Sequence, residues 1–298
     1  MKDHLLRVAT RDGTLRAAAA VTTDLVEAIR QRQGTDPTAT VALGRLVSGA
    51  AVMGSLLKGD QRLALMVEGN GPLQKLHAET NATGQLRGSV KEPLSGIAPT
   101  AEGFDVPAAV GRAGFLHVVK DLGLKEPYRG MVQLYSSEIA EDLAYYLTSS
   151  EQIPSTVALG VYLEEEGRVA AAGGLLVQAM PEGEEALVSL LEERLITLPP
   201  LTAMLRAEQG PEQILQLLFE GIPLGTPEMT PLEFRCTCSR PQVQSMLKAL
   251  GLEELEAIAQ KEETTTVTCE FCKERYSFTG KQLNLLLDAL KSTNKGPQ

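Results

Sequence analysis

The sequence predicts an α+β protein in three parts: an N-terminal core with a buried helix between β-sheets, a helical linker, and a small C-terminal α+β domain built around cysteines. Three observations predict it. The stretch "ATVALGRLVSGAAVMGSLL" (39–57) is apolar and rich in small residues, and alternating, strand-like runs flank it. After Pro181 the pattern turns to helical spacing interrupted by prolines. All four cysteines of the 298 residues fall in two short runs, "RCTCSRP" (235–241) and "TCEFCKERY" (268–276). These shifts set boundaries at 1–181 for the core, 182–231 for the linker and 232–298 for the cysteine domain.

In chain order, "HLLRVATRDGTLRAAAAVTT" holds two extended runs about Asp12-Gly13, the signature of a hairpin. "DLVEAIRQRQG" has helical spacing, with Asp24 as its expected N-cap and Gly34 as its stop. In 39–57, Arg45 interrupts the apolar run and Gly44, Ser48, Gly49, Gly54 and Ser55 dilute it. A membrane span wants about 20 predominantly apolar residues, so this is read as a helix buried on nearly all sides, with small residues that let sheets approach. Short strands follow in 62–90, divided at Asn70-Gly71 and Thr83-Gly84. "AEDLAYYL" is a short helix, and 155–180 a second hairpin turning at Glu166-Gly167. Residues 182–223 read as two or three amphipathic helices split at Pro199-Pro200 and Gly210-Pro211, a connector lying on a domain rather than a domain of its own.

The cysteines form C-x-C, thirty residues, then C-x-x-C. Two close pairs supply two ligands each to one tetrahedral thiolate site. The three histidines, His4, His77 and His117, lie far upstream, so the ligands are Cys236, Cys238, Cys269 and Cys272, and zinc is the expected metal, one per chain in the reduced state. Around them a small fold is legible: a helix from Ser239 to Gly251, a second over 252–263, two strands joined at the second cysteine turn, and a closing helix with Thr279 and Gln282 as a capping box. At this size a core alone is marginal, and structural zinc adds on the order of 10–16 kcal/mol. Arg235, Arg240, Lys273 and Arg275 stand beside the pairs in sequence and are expected to favour thiolate. Cys269 and Cys272 have the spacing of an easily closed disulfide. Cys236 and Cys238 do not: two extended residues span about 7 Å, against usual Cα separations of about 4.4–6.8 Å. Oxidation is expected to expel the metal and melt the domain.

Composition narrows the function. The chain is 43% hydrophobic, 22% charged and lacks Trp, values of a folded protein with an aliphatic core. Only the tail "STNKGPQ" reads as unstructured. The start has no apolar signal region, so a cytoplasmic protein without membrane contact is expected. Net charge is -10, yet from Leu232 onward nine basic and nine acidic residues balance. A zinc-ribbon nucleic-acid binder would carry a basic patch, so nucleic acid is not expected as a partner. A thiol–disulfide oxidoreductase would place C-x-x-C at a helix N-terminus, whereas "KERYSF" after Cys272 reads as a strand. "GNGPL" (69–73) is read as a turn, not a phosphate loop. No enzyme motif is visible.

The cysteine pairs at this spacing, together with "ALGRLVSGAAVMGSLLKGDQRLALMVEGNGPL" (42–73), resemble the 33 kDa chaperonin family, the bacterial redox-regulated heat-shock holdases, over nearly the whole chain. The resemblance implies an ATP-independent chaperone, inactive when reduced and zinc-bound. It implies activation by two disulfides, Cys236–Cys238 and Cys269–Cys272, with zinc release and unfolding of the switch domain and linker. It also implies unfolding client proteins as partners and a homodimer, above all when oxidised.

Overall fold

The computed structural model describes residues 1–101, 103–180, 185–261 and 264–293. They form two compact units, Met1–Arg235 and Cys236–Gln298.

In the first unit, β1 (His4–Ala9) and β2 (Leu15–Val21) make the expected hairpin, with Asp12 accepting from the Thr14 amide in the turn. Helix α1 (Thr23–Gln33) ends on Gly34 in the left-handed conformation, φ 67°, where glycine carries no Cβ penalty. Its start differs from expectation: Asp24 sits inside the first turn and the side chain at the cap position, Thr22, does not cap the helix but bonds to Ser48 Oγ at 2.7 Å. The carboxylate of Asp3 serves instead, accepting from the amides of Leu25 at 2.6 Å and Asp24 at 3.2 Å. Burial lifts that carboxyl to about 6, against the opposing pull of those amides.

Helix α2 (Pro37–Gly54) is capped by Asp36, which accepts from the Ala39 amide at 2.8 Å. Nearly every side chain along it is buried, as the composition of 39–57 predicts. Arg45 escapes to pair with Glu138. A Cβ at Gly44 would come within 2.8 Å of Val26 and Val161, which is why the helix is glycine-marked where it lies closest to its neighbours. Strands β3 (Arg62–Gly69), β4 (Lys75–Asn81) and β5 (Gln85–Val90) follow as a meander. Helix α3 (Val106–Val110), β6 (Gly114–Asp121) and β7 (Tyr128–Gln133) come next, then α4 (Ala140–Ser149) and the hairpin of β8 (Ser155–Leu163) and β9 (Val169–Ala179). Three linker helices, α5 (Glu185–Thr197), α6 (Leu201–Arg206) and α7 (Pro211–Leu218), precede the short strands β10 (Glu228–Pro231) and β11 (Glu233–Phe234).

The strands make two sheets, ordered β10-β1-β2-β9-β8 and β11-β5-β4-β3-β6-β7. Period-2 alternation sends Leu5, Ala18, Ala20 and Leu176 to one side of the first sheet, where they share a core with α2 and with Leu63, Leu65, Leu76 and Leu116 of the second. Helix α2 is thus the buried layer between sheets. The other side of the first sheet, Leu6, Val8, Leu15, Ala19 and Leu175, packs against Leu191, Met204, Leu205, Ile214, Leu215 and Phe219 of the linker region. Arg194 of α5 donates to the Leu218 carbonyl at 2.8 Å, tying the first linker helix to the end of the third.

Residues 232–235, read from sequence with the cysteine domain, belong to the first unit by contact. Leu232 is in its core, and β11 pairs with β5. The second unit holds α8 (Arg240–Ala249), α9 (Leu252–Lys261), the antiparallel pair β12 (Thr264–Thr268) and β13 (Arg275–Thr279), and α10 (Gly280–Thr293). The predicted capping box is present: the Thr279 amide donates to Gln282 Oε1 at 3.0 Å and the Gln282 amide to Thr279 Oγ at 3.4 Å. Helix α10 runs on through Ser292 and Thr293; the rest of the tail expected to be unstructured, 294–298, lies outside the described residues.

Candidate metal centre

The second unit builds its site from two backbone turns. Cys236 and Cys238 lead directly into α8, whose cap Ser239 accepts from the Gln242 amide. Pro241 stands in the first turn of that helix, where a missing N–H costs nothing. This fixes the exit of the C-x-C pair. Cys269 and Cys272 occupy the turn between β12 and β13: the Cys269 amide donates to the Glu274 carbonyl at 2.9 Å, and the Lys273 amide to the Cys269 carbonyl at 3.0 Å. Lys273 holds φ 62° to close it.

The turns bring all four sulfurs within 4.8 Å of one another, each half-buried. Cys236 Sγ lies 3.7 Å from Cys269 Sγ, and Cys238 Sγ 3.3 Å from Cys272 Sγ. A disulfide would need about 2.05 Å. Four sulfurs each 2.3 Å from a common zinc would stand about 3.8 Å apart. The spacing therefore suits four ligands around one ion, and thiols are soft donors that suit zinc. The close approaches run across the two pairs, 236 to 269 and 238 to 272, so neither pair is pre-bonded to itself.

Burial pushes the Cys236, Cys238 and Cys272 thiols up, and hydrogen bonds within the cluster sort those three. At Cys236 the bonds, first from the Cys238 backbone and then from the other thiols, outweigh burial and bring it down to about 7. Burial keeps Cys238 raised although the Tyr276 hydroxyl, 3.2 Å away, favours its anion. Burial also lifts Cys272 to about 12. One thiolate is solvated by its three neighbours, and each further ionisation is opposed by the charge already there. A cation at the centre removes that opposition.

Tyr276 was not singled out from sequence. Its bond to Cys238 raises its own hydroxyl, and its position four residues after Cys272 on a strand was the available signal. Arg240 does not serve the thiolates as expected: its guanidinium donates to the Ser277 carbonyl at 2.8 Å and to Gln282 Oε1 at 3.2 Å, and lies 4.3 Å over the Phe278 ring. The histidines and the glycine-bearing loop sit in the first unit. His77 and His117 lie on the outer face of the second sheet beside Glu79 and Glu68. "GNGPL" is a turn whose amides are already used, Gly71 donating to the Val110 carbonyl at 2.9 Å and Leu73 to Ala109 at 3.1 Å, so none remain for a phosphate. The C-x-x-C turn joins two strands and not a strand and a helix, unlike an oxidoreductase site.

Fold and site together define a class: a two-unit α+β binding protein whose second unit is organised around four thiols. The family model for "Hsp33 protein" matches residues 3–279. The 33 kDa chaperonin of Syntrophotalea carbinolica is 76% identical over 287 residues, 96% of this chain and 100% of that one. The 33 kDa chaperonin of Geobacter sulfurreducens is 50% identical, covering 97% of this chain and 96% of its own. The crystal structure of the 33 kDa chaperonin (heat shock protein 33 homolog) from Thermotoga maritima matches with a TM-score of 0.88 at 35% identity, over 97% of this chain and 99% of that one. The chain belongs to the Hsp33 family. It is a chaperone and not an enzyme. Among the described residues, no helix is long and apolar enough to cross a membrane.

Proposed function

We propose that this chain is a redox-regulated, ATP-independent holdase, inactive while Cys236, Cys238, Cys269 and Cys272 are reduced and hold one zinc, and active once they are oxidised. The observation that carries it is the gathering of four thiols within 4.8 Å of one another at spacings that suit a tetrahedral ion. When bound, zinc supplies a cross-link between the two cysteine turns and keeps the sulfurs as thiolates. The chain's own residues do the rest.

Peroxide is the oxidant class. The Cys269 or Cys272 sulfur attacks one peroxide oxygen, the O–O bond breaks, and water leaves after taking up a proton. The second sulfur of the pair then attacks the sulfenic sulfur, the S–O bond breaks as the S–S bond forms, and the hydroxide leaves as a second water on taking up a proton. Two electrons pass from two sulfurs to one peroxide, and the same balance holds for Cys236–Cys238. The Cys269–Cys272 bond closes first, because a Cys236–Cys238 bond requires a bent backbone. Mass mapping of trapped thiols along an oxidation course tests the order; early build-up of Cys236–Cys238 alone would reverse it.

Loss of the thiol cluster removes the fold of 236–298. The chain runs from α7 through β10 and β11 straight into Cys236, so two short edge strands then lose their C-terminal anchor. Helices α5–α7 follow, and the Leu6, Val8 and Leu175 face of the first sheet opens to unfolding client proteins. The oxidised protein acts as a homodimer in the cytoplasm. The test is light scattering of a heat-denatured client: peroxide-treated protein should suppress aggregation and reduced, zinc-loaded protein should not. Equal suppression by both forms would remove the redox control.

A further inference from the structure

A cleft of about 460 Å³ opens within the first unit, on the α2 side of the first sheet, just past the end of that helix. Along this face the sheet changes character. Leu5 and Ala20 are apolar core, but Arg7 and Arg16, one and two pleats further on, bring guanidinium groups to the same side. Arg7 is committed: it donates to the Ser55 carbonyl at 2.9 Å and through Nε to Glu228 at 3.0 Å. Arg11, Arg16 and Lys58 are not. Arg11 gives its Nε–H to the Leu224 carbonyl at 3.1 Å. Arg16 gives its Nε–H to Gln178 Oε1 at 2.8 Å, and Gln178, itself fully buried, is fixed by donating to Ser155 Oγ at 2.8 Å. The terminal nitrogens of both guanidiniums and the Lys58 ammonium have no carboxylate partner among the described residues, and all three line the cleft.

In a chain of net charge -10, Arg7, Arg11, Arg16 and Lys58 line one concavity against a single carboxylate, that of Glu228, and this excess of positive charge calls for an anion. Half-burying the Arg16 guanidinium is costly, an anion in contact would offset more of that cost than Glu151, which acts on it only through space, and holding it by Nε aims its terminal N–H groups as a fork that matches phosphate. The floor is apolar, formed by Ala18, Leu56 and Leu176, and cavities of about 300–1,000 Å³ suit small organic ligands. We propose that this cleft binds a phosphorylated small molecule of about mononucleotide size, its phosphate on Arg11, Arg16 and Lys58 and its organic body over Leu56, Ala18 and Leu176. The assignment is independent of the thiol site, and the ligand is bound without being broken down.

Isothermal titration of the reduced, full-length protein at about 0.15 M salt tests it with three probes: AMP, pyrophosphate and inorganic phosphate. AMP should bind one to one and more tightly than inorganic phosphate, and affinity should fall as salt is raised. Lys58→Ala, at an exposed position, should weaken AMP about tenfold, and Arg16→Gln about 10- to 100-fold, as charge-assisted bonds are lost. If Arg16→Gln fails to fold, Lys58→Ala carries the test alone. No saturable binding of any probe, or unchanged AMP binding in folded Lys58→Ala, would overturn the site. AMP binding no tighter than phosphate would overturn the organic body.

Discussion

In Met1–Arg235, α2 lies between two sheets, and its Ala39, Ala42, Leu46, Val47, Ala50 and Val52 are essentially without solvent exposure. In Cys236–Gln298 the buried core is Val243, Leu247, Leu255, Phe278, Leu283, Leu286 and Leu287, and nothing else among the described residues joins it at that depth. The first unit has apolar burial to spare against the entropy of folding; the second has a few side chains and four thiols. The difference teaches where a switch can live. A domain held by its core answers slowly to chemistry, whereas a domain that depends on one ion answers to whatever takes the ion's ligands.

Five perturbations test that contrast. The largest follows chelation of reduced protein. If zinc contributes on the order of 10–16 kcal/mol, its removal should unfold 236–298 and loosen α5–α7 while α2 and the strands around it stay folded, seen as partial loss of helical circular dichroism with one remaining thermal transition. Cys272→Ser should do the same without chelator. Next comes the core itself. Leu46→Ala, at a site with no exposure, should cost about 2–5 kcal/mol and lower the transition of the first unit while zinc stoichiometry stays unchanged.

Smaller is Tyr276→Phe. It removes the hydroxyl 3.2 Å from Cys238, and partners of metal ligands commonly govern about 10- to 100-fold in affinity. Competition with a chromogenic chelator should show zinc held about tenfold less tightly, with the fold retained. The smallest concerns Asp3. Its folded carboxyl is raised to about 6 from an unfolded 3.8, so the unfolded state binds fewer protons between those values and stability falls as pH rises through that window. Asp3→Asn should flatten the decline, read as denaturant midpoints from about pH 4 to 6.5.

Much of this was legible in the sequence. The small-residue run over 39–57 gives α2 because only a helix wrapped on all sides tolerates that composition. The hairpins at Asp12-Gly13 and Glu166-Gly167 are turn chemistry between alternating runs. The C-x-C and C-x-x-C pairs placed all four sulfurs. Residues 91–139 went unread, and the structure gives the reason. On β6 and β7 the outward side carries Phe115, Val119 and Met131, which blur the period of two, and Gly130 lies under the Tyr146 ring where a Cβ would come within 2.7 Å. The cap of α1 comes from Asp3, some twenty residues away, and long-range caps leave no local mark. Strand β11 is two residues long and pairs in parallel with β5, so only tertiary contact reveals it.

In the proposed switch, oxidation of the thiols uncovers the linker face of the first sheet, and hydrogen exchange on the full chain reads that uncovering residue by residue. Reduced, zinc-loaded protein is compared with peroxide-treated protein holding a client. Protection should be lost across 236–298 first, and across α5–α7 with or after it, while α2 and the strands around it keep theirs. If α5–α7 stayed fully protected in the oxidised, client-holding sample, the uncovering of that face would be contradicted, even with zinc released and both disulfides formed.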